Sequence, residues 1–153
     1  MARSFWETDR IRLRGIEPED ADFFYRLNQE ADWGRNLDFL WPPMSRAAVA
    51  AWAEKESKKG LDDGGYYWVI ETLDGNAVGF IETHHCDRRT GTFSHAFGIA
   101  PEHRRRGYAR EALCLVLKYY FEEQRYQKVT TPVHDYNDAS IRLHESFGFT
   151  LEG

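Results

Sequence analysis

Three stretches of this sequence bring together residue types that could do chemistry. The first is His103-Arg104-Arg105-Arg106-Gly107-Tyr108-Ala109-Arg110, which follows an apolar run ending near Ile99 and leads into a long amphipathic pattern. A strand that feeds a glycine turn into a helix leaves several amides unpaired, aimed along the helix axis at any anion there. Small residues at 107 and 109 let that backbone come close to a ligand. The chemistry this suits is phosphate binding, although the spacing alone also fits a solvated basic helix start. The second stretch, His84-His85-Cys86-Asp87, has metal-ligating types, but no second cluster supplies the remaining ligands. A polar strand end is the better reading, and no metal is expected. The third is Asp32 to Pro43, where Trp33, Phe39, Leu40 and Trp41 precede two prolines. This reads as an aromatic loop that either caps a core or lines a pocket, with capping the commoner role.

These stretches need elements to hold them. Ile11 to Gly15 alternates apolar and basic residues as a half-buried strand does, and Pro18 opens a helix bearing Ala21, Phe24, Tyr25 and Leu27. Ser45 is a good N-cap for a helix with Ala48, Val49, Trp52 and Ala53 on one face, fading before Gly60. Tyr66 to Glu71 and Ala77 to Thr83 flank Asp74-Gly75-Asn76, an antiparallel hairpin signal. Thr92 to Ala100 adds a third strand of this meander. The helix from about Gly107 to Glu123 shows the i, i+3, i+4 stripe Ala109, Ala112, Leu113, Val116, Leu117, Tyr120. Lys128 to Val133 is rich in β-branched residues, so strand, helix and strand imply a right-handed parallel crossover. Asn137 or Asp138 starts a shorter helix with Ala139, Leu143 and Phe147, stopped by Gly148, and Phe149-Thr150-Leu151 begins another strand.

Composition narrows the function classes. A chain of 153 residues is expected to form one domain, 1–153, with a single compact core. Twenty basic against 25 acidic residues give a formal charge of -5, which argues against nucleic acid as the main partner. The arginines at 104 to 106 are thus a local cluster on an acidic protein, best explained by a local anion. Cys86 and Cys114 make neither a disulfide framework nor a zinc pattern, so a reducing compartment fits. Without a signal-like N-terminus or a run of about 20 apolar residues, a cytoplasmic protein with no membrane partner is expected.

Two segments agree with each other: the glycine turn that opens the long helix, and Asn137 to Phe149, which opens and closes the next. Together they resemble the GNAT superfamily of acyl-CoA-dependent N-acyltransferases, closest to the branch that acetylates ribosomal-protein N-termini. The resemblance covers nearly the whole chain. It implies an α/β GNAT fold: a mixed, mostly antiparallel central sheet with helices on both faces. Since the family usually completes strand 6 and adds strand 7 beside strand 5, the C-terminal strands look truncated. Either a longer chain or a neighbouring copy is expected to supply them, with a homodimer as one form and the edge of strand 5 open or paired in trans.

The resemblance also implies a cosubstrate and roles. The amides of Arg105, Arg106, Gly107, Tyr108, Ala109 and Arg110 would hold the coenzyme A pyrophosphate, with Arg104 and its neighbours reaching phosphate oxygens. Phe97, Gly98 and Ile99 would pair their backbone with the pantetheine arm. Asn137 falls at a cofactor contact, and a helix N-cap is compatible with the same position. The reaction implied is acetyl transfer from acetyl-CoA to a primary amine, a small molecule or a protein N-terminus, by direct attack in a ternary complex. The family's general-acid tyrosine is replaced by His144, and Ser140 stands where the ribosomal branch has a serine that assists the thiolate; Ser140 is the first choice and His144 the second. The family's strand 4 glutamate is replaced by Ser94, leaving Glu82, His84 and His95 as candidate bases. A non-catalytic acyl-CoA-binding or sensing module on the same fold is the alternative.

Overall fold

The computed structural model describes residues 3–37, 40–61 and 64–153. Five strands form one sheet in the order β1 (Ile11–Gly15), β2 (Tyr67–Thr72), β3 (Ala77–Asp87), β4 (Thr92–Ile99), β5 (Lys128–Thr130). The first four run antiparallel, and β5 joins β4 in parallel after the helical crossover. This is the mixed α/β sheet, flanked by helices, that the sequence implies.

Side-chain alternation gives the sheet two apolar faces. On one, Ile11, Leu13, Ile70, Ile81 and Phe93 pack against Leu113 and Val116 of α4 (Tyr108–Lys118). On the other, Val69 and Phe80 pack against Phe24 and Leu27 of α1 (Ala21–Leu27), Trp33 of α2 (Ala31–Leu37) and Val49 of α3 (Arg46–Ser57). Each fully buried aliphatic or Phe side chain contributes about 1.5–3 kcal/mol. Ser45 caps α3 by accepting from the Ala48 amide at 3.0 Å. The last helix, α5 (Asp138–Ser146), is followed by Gly148 at φ 90°.

Several expectations need correction. Asp32 to Pro43 is not wholly loop, because α2 occupies Ala31–Leu37 and sinks Trp33 onto Phe80 at 5.5 Å between ring centroids. Burial of that indole outweighs the weak local helix signal. Trp41 is half exposed, and Phe39 lies outside the described residues. The long helix becomes a π-helical turn at Tyr119–Glu123, where the Tyr120 hydroxyl meets Thr83 Oγ1 at 2.6 Å. β3 extends through His84 to Asp87, with an irregularity there and His85 at φ 49°. β5 stops at Thr130 rather than Val133, since Pro132 has no amide to continue a ladder. Phe149 to Leu151 form no strand; the Phe149 amide turns back to the His144 carbonyl at 3.1 Å. Among the described residues β5 therefore pairs only with β4.

Candidate active site

β4 and β5 pair only from Thr92 to Ser94 against Lys128 to Thr130. Beyond Thr130 the chains part: Thr131 Oγ1 donates to the His95 carbonyl at 2.9 Å, and Pro132 ends the ladder. The result is a cleft of about 770 Å³ between Ala96 to Ile99 on one side and Thr131 to Val133 with α5 on the other, floored by the turn 103–110. The sequence-derived site residues Glu82, Phe97, Gly98, Ile99, Asn137, Ser140, His144 and the whole run Arg104 to Arg110 border this one cleft.

The turn has the shape expected of an anion cradle. Arg105 at φ 64° and Gly107 at φ 84° both adopt left-handed backbone, so successive amides curve around one point. Glu111 makes the first bond of α4, to the Gly107 carbonyl at 3.2 Å, which leaves the amides of Tyr108, Ala109 and Arg110 without a carbonyl one turn back. Arg104 Nε ties the turn to the Ile99 carbonyl at 3.1 Å. Arg10, which has no local signal in the sequence, lies over the Tyr108 ring at 5.2 Å and donates through Nε to Glu111 at 2.7 Å. Its guanidinium also limits what can replace Gly107, since a Cβ there would come within 2.9 Å of it.

On the α4 face of the sheet, His95 and His144 are 1% and 5% exposed, and their Nε2 atoms lie 2.9 Å apart. The proton positions follow from the partners. His144 Nδ1 is 2.7 Å from the Ser140 carbonyl, which can only accept, so Nδ1 carries the hydrogen. His144 Nε2 then accepts from His95 Nε2–H. His95 Nδ1 is left as a bare lone pair, buried and without a partner among the described residues. Burial pushes His95 down to about 3, with His144 and His84 adding to it. Burial also lowers His144, partly offset by the Ser140 carbonyl. Both rings are therefore neutral at pH 7. Ser140 Oγ lies 3.2 Å from His144 Nδ1, so it shares that hydrogen as an acceptor and keeps its own O–H for the cleft. Asn137 Oδ1 accepts from the Ser140 amide at 3.2 Å, which fulfils the N-cap role, and the residue lines the cleft.

Glu82 reaches the cleft from the other face. It follows Ile81 of the α4-side core and alternates with Phe80 and His84 on the α1–α3 side. Burial pushes its carboxyl up to about 7, with Glu56 adding to the rise and Lys59 opposing it. His84 Nδ1 is 4.0 Å from Glu82 Oε1, and burial followed by His85 lowers the His84 imidazole. Glu82, Ala96, Trp33 and Leu37 also border a second cleft of about 340 Å³, so the two spaces meet at Glu82. Trp33 also closes over Gly98: a Cβ at 98 would lie 2.7 Å from the indole. The sequence marks Trp33 as a pocket or capping aromatic but not its place at this junction, and Thr131 carries no recognisable signal.

The profile of the acetyltransferase (GNAT) domain matches residues 10–150. The chain is 40% identical over its full length to the SPbeta prophage-derived uncharacterized N-acetyltransferase YokL of Bacillus subtilis strain 168, spanning 83% of that protein. It is 26% identical to the spermidine N(1)-acetyltransferase of Vibrio cholerae, over 94% of this chain and 81% of that one. A crystal structure of spermidine N-acetyltransferase from Vibrio cholerae in complex with CoA and spermine superposes with a TM-score of 0.81 at 24% identity, covering 95% of this chain and 84% of that one. With a matching profile over most of its length, the chain belongs to the GNAT family of acetyl-CoA-dependent N-acetyltransferases.

Proposed function

We propose that this chain acetylates a primary amine by direct attack on the thioester of acetyl-CoA within a ternary complex, as one catalytic domain. The observation that carries the reading is the continuous cleft joining the nested amides of 105–110 to Glu82 on one side and to Ser140 and His144 on the other. The pyrophosphate would lie on those amides, and the pantetheine amides on the β4 edge at Phe97, Gly98 and Ile99. Acetyl-CoA supplies the activated acyl group. Asn137 offers its NH2 to the cofactor while its oxygen caps α5.

An alkylammonium has no lone pair to attack with, and its unperturbed pKa is near 10.4. A carboxylate with a pKa near 7 is half ionised at neutral pH and close to the optimum for a general base there. The ammonium first gives up one proton to solvent; Glu82 then takes a second proton from the nitrogen as the neutral amine forms the N–C bond, and a β4 amide stabilises the oxyanion until the C–S bond breaks. As the C–S bond breaks, the thiolate, with a pKa of about 8.5, is a far weaker base than a serine alkoxide or an imidazolate. The Ser140 O–H therefore stabilises the thiolate by hydrogen bonding rather than by full transfer, with His144 Nδ1–H polarising the serine oxygen. The thiolate is then protonated from solvent. His95 acts through His144, as a positioning residue that donates to its Nε2 and holds its ring.

Among acceptor classes, the polyamine named for the Vibrio relative and the protein N-terminus suggested by the ribosomal branch both supply primary amines. Two unpaired cysteines support a reducing, cytoplasmic setting. No described helix is long and apolar enough to cross a membrane.

The test is coenzyme A release from acetyl-CoA across an amine panel, with Gly107→Asp as the site control. Bulk and negative charge at the cradle are expected to weaken coenzyme A binding at least 10-fold by calorimetry, with the fold retained by circular dichroism. Unchanged affinity would remove the turn from the site.

A further inference from the structure

We propose that the amine acceptor is a monoamine bearing one aromatic or similarly bulky apolar group, seated in the second cleft with its nitrogen at Glu82. The assignment deepens the transferase reading and rests on it for the direction of the amine. The second cleft meets the cofactor cleft at Glu82 and Ala96, so a nitrogen placed there faces the β4 edge where the thioester would lie. At about 340 Å³ it is at the small end of the range for ligand pockets, roughly 300–1,000 Å³.

Its walls are rings in sequence. Trp52 stands edge-on to Phe24 at 4.9 Å and to Tyr67 at 5.3 Å; Tyr67 stacks on Phe80 at 5.0 Å; Trp33 meets Phe80 at 5.5 Å. Trp41 and Met44 stand at the mouth, 50% and 41% exposed, which is apolar surface a bound group would cover. Such walls favour an aromatic guest by about 2- to 12-fold per ring pair beyond the area it buries. They also attract an incoming ammonium through the ring faces.

Charge decides against a polyamine. Among the described residues lining this cleft, Glu82 is the one carboxylate. The nearby Glu56 is already paired with Lys59 at 2.9 Å. A second ammonium drawn into these walls would exchange water for ring faces alone, with no second carboxylate among the described lining residues to offset its desolvation, whereas a ring loses nothing by leaving water. The pocket therefore has one place for a nitrogen and apolar room for the rest.

The experiment uses the full chain with acetyl-CoA for turnover, and with coenzyme A for calorimetric binding of 2-phenylethylamine, ethylamine and spermidine. 2-Phenylethylamine is expected to exceed ethylamine in kcat/KM by about 5- to 140-fold, the factor two ring pairs supply, and to exceed spermidine by at least 10-fold. Asn28→Glu, which adds a carboxylate to the rim, is expected to narrow the preference over spermidine at least 10-fold. Spermidine binding or reacting as well as 2-phenylethylamine overturns the assignment, as does a ring that makes no difference relative to ethylamine. 2-Phenylethylamine that binds the coenzyme A-loaded protein while no amine is acetylated sinks the transfer mechanism but supports the pocket assignment. Failure of 2-phenylethylamine to bind at all overturns the pocket assignment, whatever other amine reacts.

Discussion

Replacing Glu82 with glutamine separates the energetic cost of its carboxylate from its catalytic use. Its folded pKa of about 7 lies above the ordinary carboxylate value of 4.5. The folded state therefore holds an extra proton between those values, and this group makes stability fall as pH rises from 4.5 through 7, with no further change above. At 1.36 kcal/mol per pKa unit the upper limit is roughly 3 kcal/mol. The side chain is 31% exposed, and solvent screening reduces this to about 1–2 kcal/mol. Urea unfolding at several pH values is expected to show no difference between Glu82→Gln and wild type near pH 4.5, and the variant more stable by about 1–2 kcal/mol above pH 7. In the rate assay, wild-type kcat/KM is expected to rise with pH through an ionisation near 7, on top of the slope contributed by the amine. The variant loses that limb together with about 10²- to 10⁴-fold in rate, the range of general-base contributions, while coenzyme A affinity holds. A variant that keeps the limb near 7 and the full rate would refute the assignment of Glu82 as base. A stability difference independent of pH would refute the raised pKa.

Ser140→Ala is expected to lower kcat about 10-fold, the worth of one hydrogen bond to a charged leaving group, with coenzyme A affinity unchanged; an unaltered kcat would leave Ser140 as a helix residue. His95→Phe removes a folded pKa depressed to about 3, a group whose stability contribution is full above pH 6.5 and is lost as pH falls toward 3. Between pH 4.5 and 6.5 this slope, with those of His144 and His84, opposes that of Glu82, so His95→Phe is expected to gain less stability than wild type as pH rises there. Its kcat is expected to fall without change in cofactor affinity, because His144 loses the buried donor to Nε2 that holds its ring in place; pH-dependent unfolding and steady-state kinetics check both. Asn137→Ala is expected to cost about 1 kcal/mol from the lost cap and to weaken coenzyme A binding. Asn137→Ser retains a capping oxygen, so calorimetry on it isolates the contact made by the amide NH2.

Much of the architecture could be read from neighbouring residues. The Asp74-Gly75 turn, the Ser45 cap, the apolar stripe of α4 and the Gly107 cradle each depend on interactions within about a dozen positions. Backbone geometry and side-chain period express these directly in sequence. The expected site residues consequently fall around one cleft. The helix at Ala31–Leu37 was not legible in the same way, because its strongest stabilisation is the burial of Trp33 against Phe80 and over Gly98, residues far along the chain.

Chemistry that depends on distance in sequence was decided only by packing. His95 and His144 are 49 positions apart, and nothing local to either specifies a neutral pair with assigned tautomers; the Ser140 carbonyl and the sheet face do that. Glu82 is one carboxylate among many until burial and Glu56 raise its pKa. The parting of β4 from β5 after Thr130 creates the space in which these groups face one another. Composition and spacing thus specify the elements and the glycine turn that opens α4, since those are short-range properties of the backbone. Proton positions, shifted pKa values and the second cleft depend on which distant groups share a desolvated volume, and that is settled only when the chain has folded.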